Sequence, residues 1–293
     1  MDATTVTAVA TDPPLPELLA QLRPRLHRYL ARMTGSFLDG EDLVQEVCLK
    51  ALSAAGTTPV RNTASWLFAI AHNAAMDFLR SRAREQGVFA AQAVDAADAG
   101  EAPEIERREV AGLALRSFMR LPASQRSAVL LADVLEHPLQ EAADIVQASL
   151  PAFKASLHRG RVSLQRQRAE ADVAEERLSP DQQALLALYT ARFNARDFDG
   201  LLELMAADVR LDMVGRGSAR GHAAVGSYFG NYRGLREVRA TPRPLQGRPA
   251  VWVEYMDEAG QPQCPYGIVF EVLDGSIQAI RDFHHARYAT EGL

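Results

Sequence analysis

Between Lys154 and Arg168 the sequence carries five positive side chains, Lys154, Arg159, Arg161, Arg166 and Arg168, with His158 among them and no acid. Such a cluster does electrostatic rather than covalent chemistry: it neutralises phosphates and releases the counterions condensed on a nucleic-acid duplex. The stretch around it, LPASQRSAVLLADVLEHPLQEAADIVQASLPAFKASLHRGRVSLQRQR, divides into three helices at about 124–135, 139–146 and 149–166. His137-Pro138 and Ala148-Ser149 are the breaks. A short helix, a tight turn and a helix opened by Ser149 with Pro151 in its first turn make a helix-turn-helix, with the basic cluster on its second helix.

The elements that must position this cluster belong to a longer, modular chain. A length of 293 residues implies two domains or more, and 47% hydrophobic with 24% charged residues is the composition of an ordinary globular protein. The net charge of −5 argues, if anything, against a polyanion partner, yet it is an average over unlike parts. No run of about 18 apolar residues occurs. The N-terminus has neither a basic n-region nor a continuous apolar h-region, so a cytoplasmic protein without a membrane partner is expected. Cys48 and Cys264 are far apart in sequence and match no metal-ligand spacing; they read as packing residues, and neither a metal nor a cofactor is expected.

Composition changes near Pro180. Residues 1–180 hold seven of the 19 glycines and eight of the 20 aromatics, whereas the shorter span 181–293 holds 12 of each. The first part therefore reads as helical and the second as mixed. Residues 85–109 carry seven acids against two arginines with no sustained apolar period, which reads as an exposed, flexible acidic linker. Four segments result: 15–84, the linker 85–109, 110–168 and 181–290.

In the first segment, DGEDLVQEVCLKAL places Val44, Val47, Cys48, Ala51 and Leu52 on one helical stripe, with Asp39 as a plausible N-cap and Glu41 and Asp42 in the first turn. The helix SWLFAIAHNAAMDFLRSRAR buries Leu67, Ile70, Ala71, Ala74 and Phe78, with Ser65 as N-cap and His72, Asn73, Asp77 and Arg80 on its polar side. The last segment opens with two amphipathic helices, DQQALLALYTARFNARD and FDGLLELMAADV. A strand VRLDMVG, a helix at HAAVGSYFGNY and four strands at about 235–243, 249–256, 266–273 and 276–288 follow. Asp274-Gly275 marks a hairpin, and Glu258-Ala259-Gly260 suits the turn before it. Helices followed by a meander describe an α+β unit with helices on one face of a curved antiparallel sheet.

Residues 15–168 resemble the extracytoplasmic-function group of bacterial RNA polymerase sigma factors, on three signatures in order: DGEDLVQEVCLKAL, SWLFAIAHNAAMDFLRSRAR and LPASQRSAVLLADVLEHPLQEAADIV…FKASLHRGR. The resemblance implies two all-α sigma domains: 15–84 for core polymerase and the −10 element, and 110–168, the helix-turn-helix, for the −35 element. It places Asp42, Gln45 and Glu46 against the β′ clamp helices of core RNA polymerase, with the β flap as a further contact. It assigns residues 57–84 to opening the −10 element, where an extruded base needs a pocket and cationic support. Asn73, Asp77, Arg80 and Arg82 are the side chains expected there, while Trp66 reads as core rather than a stacking platform. On the recognition helix, Lys154, Ser156, Arg159 and Arg161 divide between base edges and phosphates of promoter DNA. Three departures stand out: Gln147 where the family has Gly, so that a left-handed backbone there costs roughly 1 kcal/mol, Pro151 in the first turn, and Ala155-Ser156 in place of Ser-Arg. The acidic linker would suit the polymerase's basic channel.

Residues 181–290 are similar in element order to the SnoaL-like, nuclear-transport-factor-like cone, through LLALYTARFNARDFDGLLELMAADVRLD, the Arg220-Gly221-His222 turn and a final hairpin ending IRDFHHARY. This implies a regulatory extension that contacts the sigma domains within the same chain. Cone relatives pair an Asp or His with a Tyr in an apolar pocket for proton abstraction, and Asp212, His222, Tyr228, Asp282 and His284 supply those types. Strand alternation sets His284 with Asp282 and His285 on the other face. The expected architecture is thus two helical sigma domains followed by an α+β cone, without catalysis. Two other readings fit parts of the chain: a helix-turn-helix regulator acting without polymerase, or a SnoaL-like isomerase or hydrolase carried on a DNA-binding module.

Overall fold

The computed structural model describes residues 13–55, 62–85, 115–169, 178–235, 237–257 and 261–290. The acidic segment 85–109, apart from Glu85, and the turn at Glu258-Ala259-Gly260 lie outside the described residues, as do residues 57–61 of the expected −10 segment. The chain divides into two units, Met1–Ala171 and Asp172–Leu293.

The first unit is helical: α1 (Leu15–Thr34), α2 (Phe37–Ala54), α3 (Thr63–Glu85), α4 (Leu115–Met119), α5 (Ala123–Val129), a π-helical turn (Leu130–Val134), α6 (Leu139–Ile145) and α7 (Leu150–Ala169). Its caps are not those expected. Ser36, not Asp39, caps α2 by accepting from Asp39 N, and Asn62, not Ser65, accepts from Ser65 N at the start of α3. With α2 starting earlier, its buried residues include Leu43, Val44, Val47 and Ala51 while Leu52 is exposed. Glu41 is fully buried and paired with Arg23. On α3, Ile70 and Phe78 are only half-buried, while Phe68 is fully buried. One apolar core runs from Leu18 on α1 to Leu164 on α7.

The second unit comprises α8 (Pro180–Asn194), α9 (Phe198–Leu202), α10 (His222–Gly230) and six strands, β1 (Met205–Met213), β2 (Gly217–Arg220), β3 (Val238–Pro242), β4 (Ala250–Met256), β5 (Pro262–Leu273) and β6 (Ser276–Asp282). Ser179 and Gln182 form a reciprocal capping box on α8. The expected helix FDGLLELMAADV stops at Leu202, and Met205 onward is strand. Asp197 caps the short helix, and Val209 and Leu211 alternate inward beyond it. The sheet order is β2-β1-β6-β5-β4-β3. It is antiparallel except between β1 and β6, which run parallel, so the sheet is mixed rather than wholly antiparallel. A first strand that pairs with the last is separated from it by the whole meander, a long-range choice that local patterning does not encode.

The Asp274-Gly275 hairpin forms as expected, both residues having positive φ (50° and 75°), the backbone that a two-residue primed turn needs. One face of the sheet packs on Leu186, Tyr189, Phe193, Phe198, Val225 and Phe229 of the helices. β6 ends at Asp282, earlier than expected, and the chain turns into a 3₁₀ helix at Arg287–Ala289.

Candidate nucleic-acid interface and a buried carboxyl–tyrosine cluster

The helix-turn-helix is built as its sequence suggests. α6 ends in a turn where Gln147 has φ 56°, and Gln147 N and Ala148 N donate to Asp144 O and Ala143 O. The left-handed residue expected at Gln147 is therefore present, at a cost of about 1 kcal/mol for a non-glycine side chain. Ser149 Oγ accepts from Ala152 N at 3.4 Å, and Pro151 falls in the first turn of α7. Phe153, Leu157, Gly160 and Leu164 form the packed face of α7. Gly160 is required there, because a Cβ would meet Val129 Cγ2 at 2.6 Å and Gln125 O at 3.1 Å. At 3.6 residues per turn, Ala155, Arg159 and Arg166 point away from that face, and Lys154 lies exposed on its flank.

Arg161 does not join them. Its Nε and Nη2 donate to Asp133 Oδ2 and Oδ1 at 3.0 and 2.6 Å, a bidentate pair with a carboxylate on the π-helical turn. Asp133 is 3% exposed, so the guanidinium is the counter-charge of a buried acid. Its hydrogen bond to Asp133 raises the Arg161 pKa, outweighing the opposing effect of burial. Arg161 therefore leaves the set of free cations on the recognition helix. Ser156 is half-buried, between the packed and outward faces.

In α2, Asp42, Gln45 and Glu46 are exposed, Glu46 pairing with Lys50 at 2.5 Å. In α3, Asn73, Asp77 and Arg80 are exposed along one side, and Arg82 is exposed on the opposite side. Arg80 pairs with Asp77, holding that carboxyl below its ordinary value, and Arg82 reaches Asp39 of α2 at 3.4 Å. His72 leaves the polar side on which its spacing set it: it is buried, and its Nδ1 is 2.8 Å from Tyr29 Oη. Burial lowers its pKa to about 4, so it is neutral near pH 7. Trp66 packs half-buried against the core.

In the second unit the structure separates the five cone candidates. Asp212 lies on the outer side of β1, paired with Arg281 at 3.3 Å, and His222 stands at the start of α10 with Nε2 3.2 Å from Met205 O. Neither meets Asp282. Tyr228, Asp282 and His284 do come together: Tyr228 Oη donates to Asp282 Oδ2 at 2.7 Å, and His284 N donates to Asp282 Oδ1 at 2.7 Å. The strand ends at Asp282, so His284 owes its half-buried place against the Tyr266 ring to the following turn rather than to strand alternation.

Sequence reasoning missed three phenols. Tyr228 Oη is 3.1 Å from Tyr232 Oη, which is 2.8 Å from Tyr266 Oη, giving a chain of three hydroxyls ending on the carboxyl. Tyr189 is fully buried within electrostatic reach of Asp282 and Tyr232. Nothing in their sequence spacing sets them apart from other apolar-face residues. Burial raises the Asp282 pKa, outweighing the Tyr228 and His284 hydrogen bonds that lower it, and burial pushes Tyr232 up to about 12. Burial lowers His284, with His285, Arg287 and Arg216 adding like-charge repulsion. A chain of hydroxyls on a buried carboxyl can reverse its donor order when the carboxyl gains or loses its proton.

The raised value fixes the sign of a pH effect. Stability from Asp282 is fully present below the unfolded carboxyl value, about 3.9, and is lost as pH rises through the higher folded value. Asp282→Asn keeps an acceptor and cannot ionise. We expect its second unit to show a smaller fall in melting temperature than the wild type as pH rises from the unfolded carboxyl value, about 3.9, through the raised folded value, read by calorimetry. Parallel curves for the two proteins would rule out this carboxyl as the titrating group.

Comparisons with known proteins align with these parts. Sequence profiles match Sigma-70 region 2 over residues 18–85, Sigma-70 region 4 over 113–164 and a SnoaL-like domain over 186–280. The ECF RNA polymerase sigma factor SigG of Mycobacterium tuberculosis is 35% identical over 234 residues, 69% of this chain and 60% of that protein. The chain thus spans less than two thirds of SigG's length. RNA polymerase sigma factor CarQ of Myxococcus xanthus is 30% identical over 145 residues, 49% of this chain and 83% of CarQ. Among solved structures, the Mycobacterium tuberculosis extracytoplasmic function sigma factor SigJ covers 92% of this chain and 95% of its own, at 19% identity and a TM-score of 0.36. No described helix is long and apolar enough to cross a membrane.

Proposed function

The chain belongs to the extracytoplasmic-function RNA polymerase sigma factors, and from that premise we propose that it binds core RNA polymerase and directs promoter recognition and transcription initiation in the cytoplasm. Asp42, Gln45 and Glu46 on α2 form the contact with the β′ clamp helices, and the helix-turn-helix region meets the β flap. Asn73, Asp77, Arg80 and Arg82 on α3 meet the unstacked −10 strand. Lys154 and Arg159, with Ser156 between them, serve the −35 duplex. The reading rests chiefly on one observation: the recognition helix packs through Phe153, Leu157 and Leu164 while it turns Arg159 outward and leaves Lys154 exposed. The protein performs no catalysis of its own in this account.

The SnoaL-like domain acts in cis as a regulator, and its pocket candidates narrow to Tyr228, Asp282 and His284, which share hydrogen bonds or ring contacts around one buried carboxyl. The sigma regions are complete before residue 172, which supports a separable role for the remainder. Deleting residues from 181 onward is expected to change promoter-dependent output at least threefold while core-polymerase binding persists. Matched titrations of both proteins into a transcription reaction check it; superimposable curves would remove the cone from regulation.

A further inference from the structure

β1 and β6 of the SnoaL-like domain run parallel, so the chain leaves both strands at the same edge of the sheet. Val214 N donates to Asp282 O at 3.0 Å, which lays the turn after β1 against the turn after β6. Gly215, with φ 80°, passes close to the second turn: a Cβ there would lie 3.9 Å from His285 O. Arg216 and His285 meet across the two turns at 3.0 Å, and His284 and Arg287 belong to the same segment as His285. Arg216, His285 and Arg287 all act electrostatically on His284, so four basic side chains gather at one corner of the domain.

Their partners set this corner apart. Arg192, Arg210, Arg220, Arg233 and Arg281 of the same domain each pair with a carboxylate. Arg216 and Arg287 pair with none among the described residues. Arg216 Nη1 donates to His285 Nε2; a guanidinium can only donate, so that nitrogen carries a lone pair and His285 is neutral in this contact. Arg287 Nε donates to His284 O at 3.3 Å, and its guanidinium lies 5.8 Å from the Tyr266 ring centroid. Asp282, at the end of β6, is 3% exposed, and its two oxygens already accept from Tyr228 Oη and His284 N. It is therefore no counter-ion for the exposed groups beyond it.

A line of rings leads inward from the same corner. The His284 ring stands between those of His285 and Tyr266, with centroids 4.7 and 4.8 Å away, and the Tyr255 ring of β4 is 6.3 Å away. His285 is exposed, His284 and Tyr255 are half-buried and Tyr266 is fully buried. Cations without counter-charge beside accessible ring faces suit an anion attached to a flat apolar body. The anion gains charge-assisted hydrogen bonds and the body gains ring contacts. A guanidinium fork matches the two oxygens of a carboxylate.

We propose that the corner formed by Arg216, His284, His285 and Arg287 binds a small aromatic carboxylate, its oxygens accepting from the two arginines and its ring lying on His284 and Tyr255. The carboxylate replaces His285 as the acceptor for Arg216 and supplies the negative charge that the corner lacks. Inorganic phosphate could neutralise the same arginines but would leave the rings unused. The ligand's place in regulation rests on the reading of this domain as a regulator in cis; the existence of the site does not.

The test titrates the full chain with benzoate, with its neutral counterpart benzamide and with inorganic phosphate at fixed pH and ionic strength, read by calorimetry and by histidine ring-proton signals. We expect benzoate to bind at least tenfold more tightly than either of the others and to shift the two signals that His284→Gln and His285→Gln remove. Arg216→Gln, at an exposed turn, should weaken benzoate binding at least threefold, and Arg216→Gln with Arg287→Gln at least tenfold, with melting temperatures confirming that each variant is folded. Arg220→Gln, which removes an exposed arginine paired with Asp208, should leave it within twofold. Equal binding of benzoate and benzamide, or no binding of benzoate, would overturn the anion site. Phosphate binding as tight as that of benzoate would overturn the aromatic carboxylate as its ligand, and an equal loss with Arg220→Gln would reduce the effect to overall charge and overturn the corner. Absence of promoter-dependent transcripts from protein that binds benzoate as expected would overturn the sigma reading and leave the site standing.

Discussion

Arg161→Ala is expected to destabilise the helix-turn-helix by about 3 kcal/mol and to leave the salt dependence of DNA binding nearly unchanged in the molecules that remain folded. Asp133 is 3% exposed and its only hydrogen-bonding cation among the described residues is Arg161, at 3.0 and 2.6 Å. Removing the guanidinium leaves a buried carboxylate without compensation, which costs far more than the net worth of the pair. The figure is set at the low end of the usual range because the Arg161 side chain is 29% exposed and water can partly replace it. Replacing both residues with leucine should recover most of the loss, since an apolar pair removes the buried charge as well as its partner. Chemical denaturation of the three proteins decides the point. A single substitution within about 0.5 kcal/mol of wild type would mean that Arg161 is a solvated cation after all.

The paired substitution Lys154→Ala with Arg159→Ala should behave oppositely. Both side chains lie off the face formed by Phe153, Leu157 and Leu164, so stability should change by no more than about 0.5 kcal/mol each. Binding to a promoter duplex should weaken roughly 10- to 100-fold. The slope of log affinity against log salt should become shallower by up to about 1.8, because each lost phosphate contact removes about 0.9. Affinity measured across a salt series separates the cases: a full change in slope assigns both residues to phosphates, and weakening with no slope change assigns them to base edges. Unchanged affinity would remove them from the interface.

The contrast between Arg161 and Arg159 shows what the sequence could reveal. Charge clustering, the Ser149 cap, Pro151 in a first turn and the helical period are local, and they specified the helix-turn-helix, while the left-handed Gln147 was implied by the family resemblance. The partner of Arg161 is 28 positions away on a π-helical turn, and no periodicity marks such a turn in advance. His72 was misplaced for the same reason: its position on the helix read as polar, but Tyr29 of α1 supplies a buried partner.

In the cone, the Asp274-Gly275 hairpin was legible because turn chemistry is carried by two adjacent residues. The convergence of Tyr228, Tyr232 and Tyr266 on Asp282 was not, because it depends on α10, β5 and β6 meeting through long-range pairing. Asp212 and Asp282 looked equivalent as acids in strands. The sheet points one outward to Arg281 and buries the other. The residues from 205 to 209 show the limit of amphipathic reading: Met205 and Val209 are buried at a helical spacing, yet the segment is a strand whose pairing with β6 shifts register between Met205 and Arg210.

The proposed role is that this chain gives core RNA polymerase its promoter choice. The most direct measurement is run-off transcription from a pool of promoter fragments by core polymerase with and without the full-length protein. Discrete transcripts should appear only when the chain is present and be lost with Lys154→Ala and Arg159→Ala together. Specific duplex binding that persists while no promoter-dependent transcript appears at any chain concentration would contradict it.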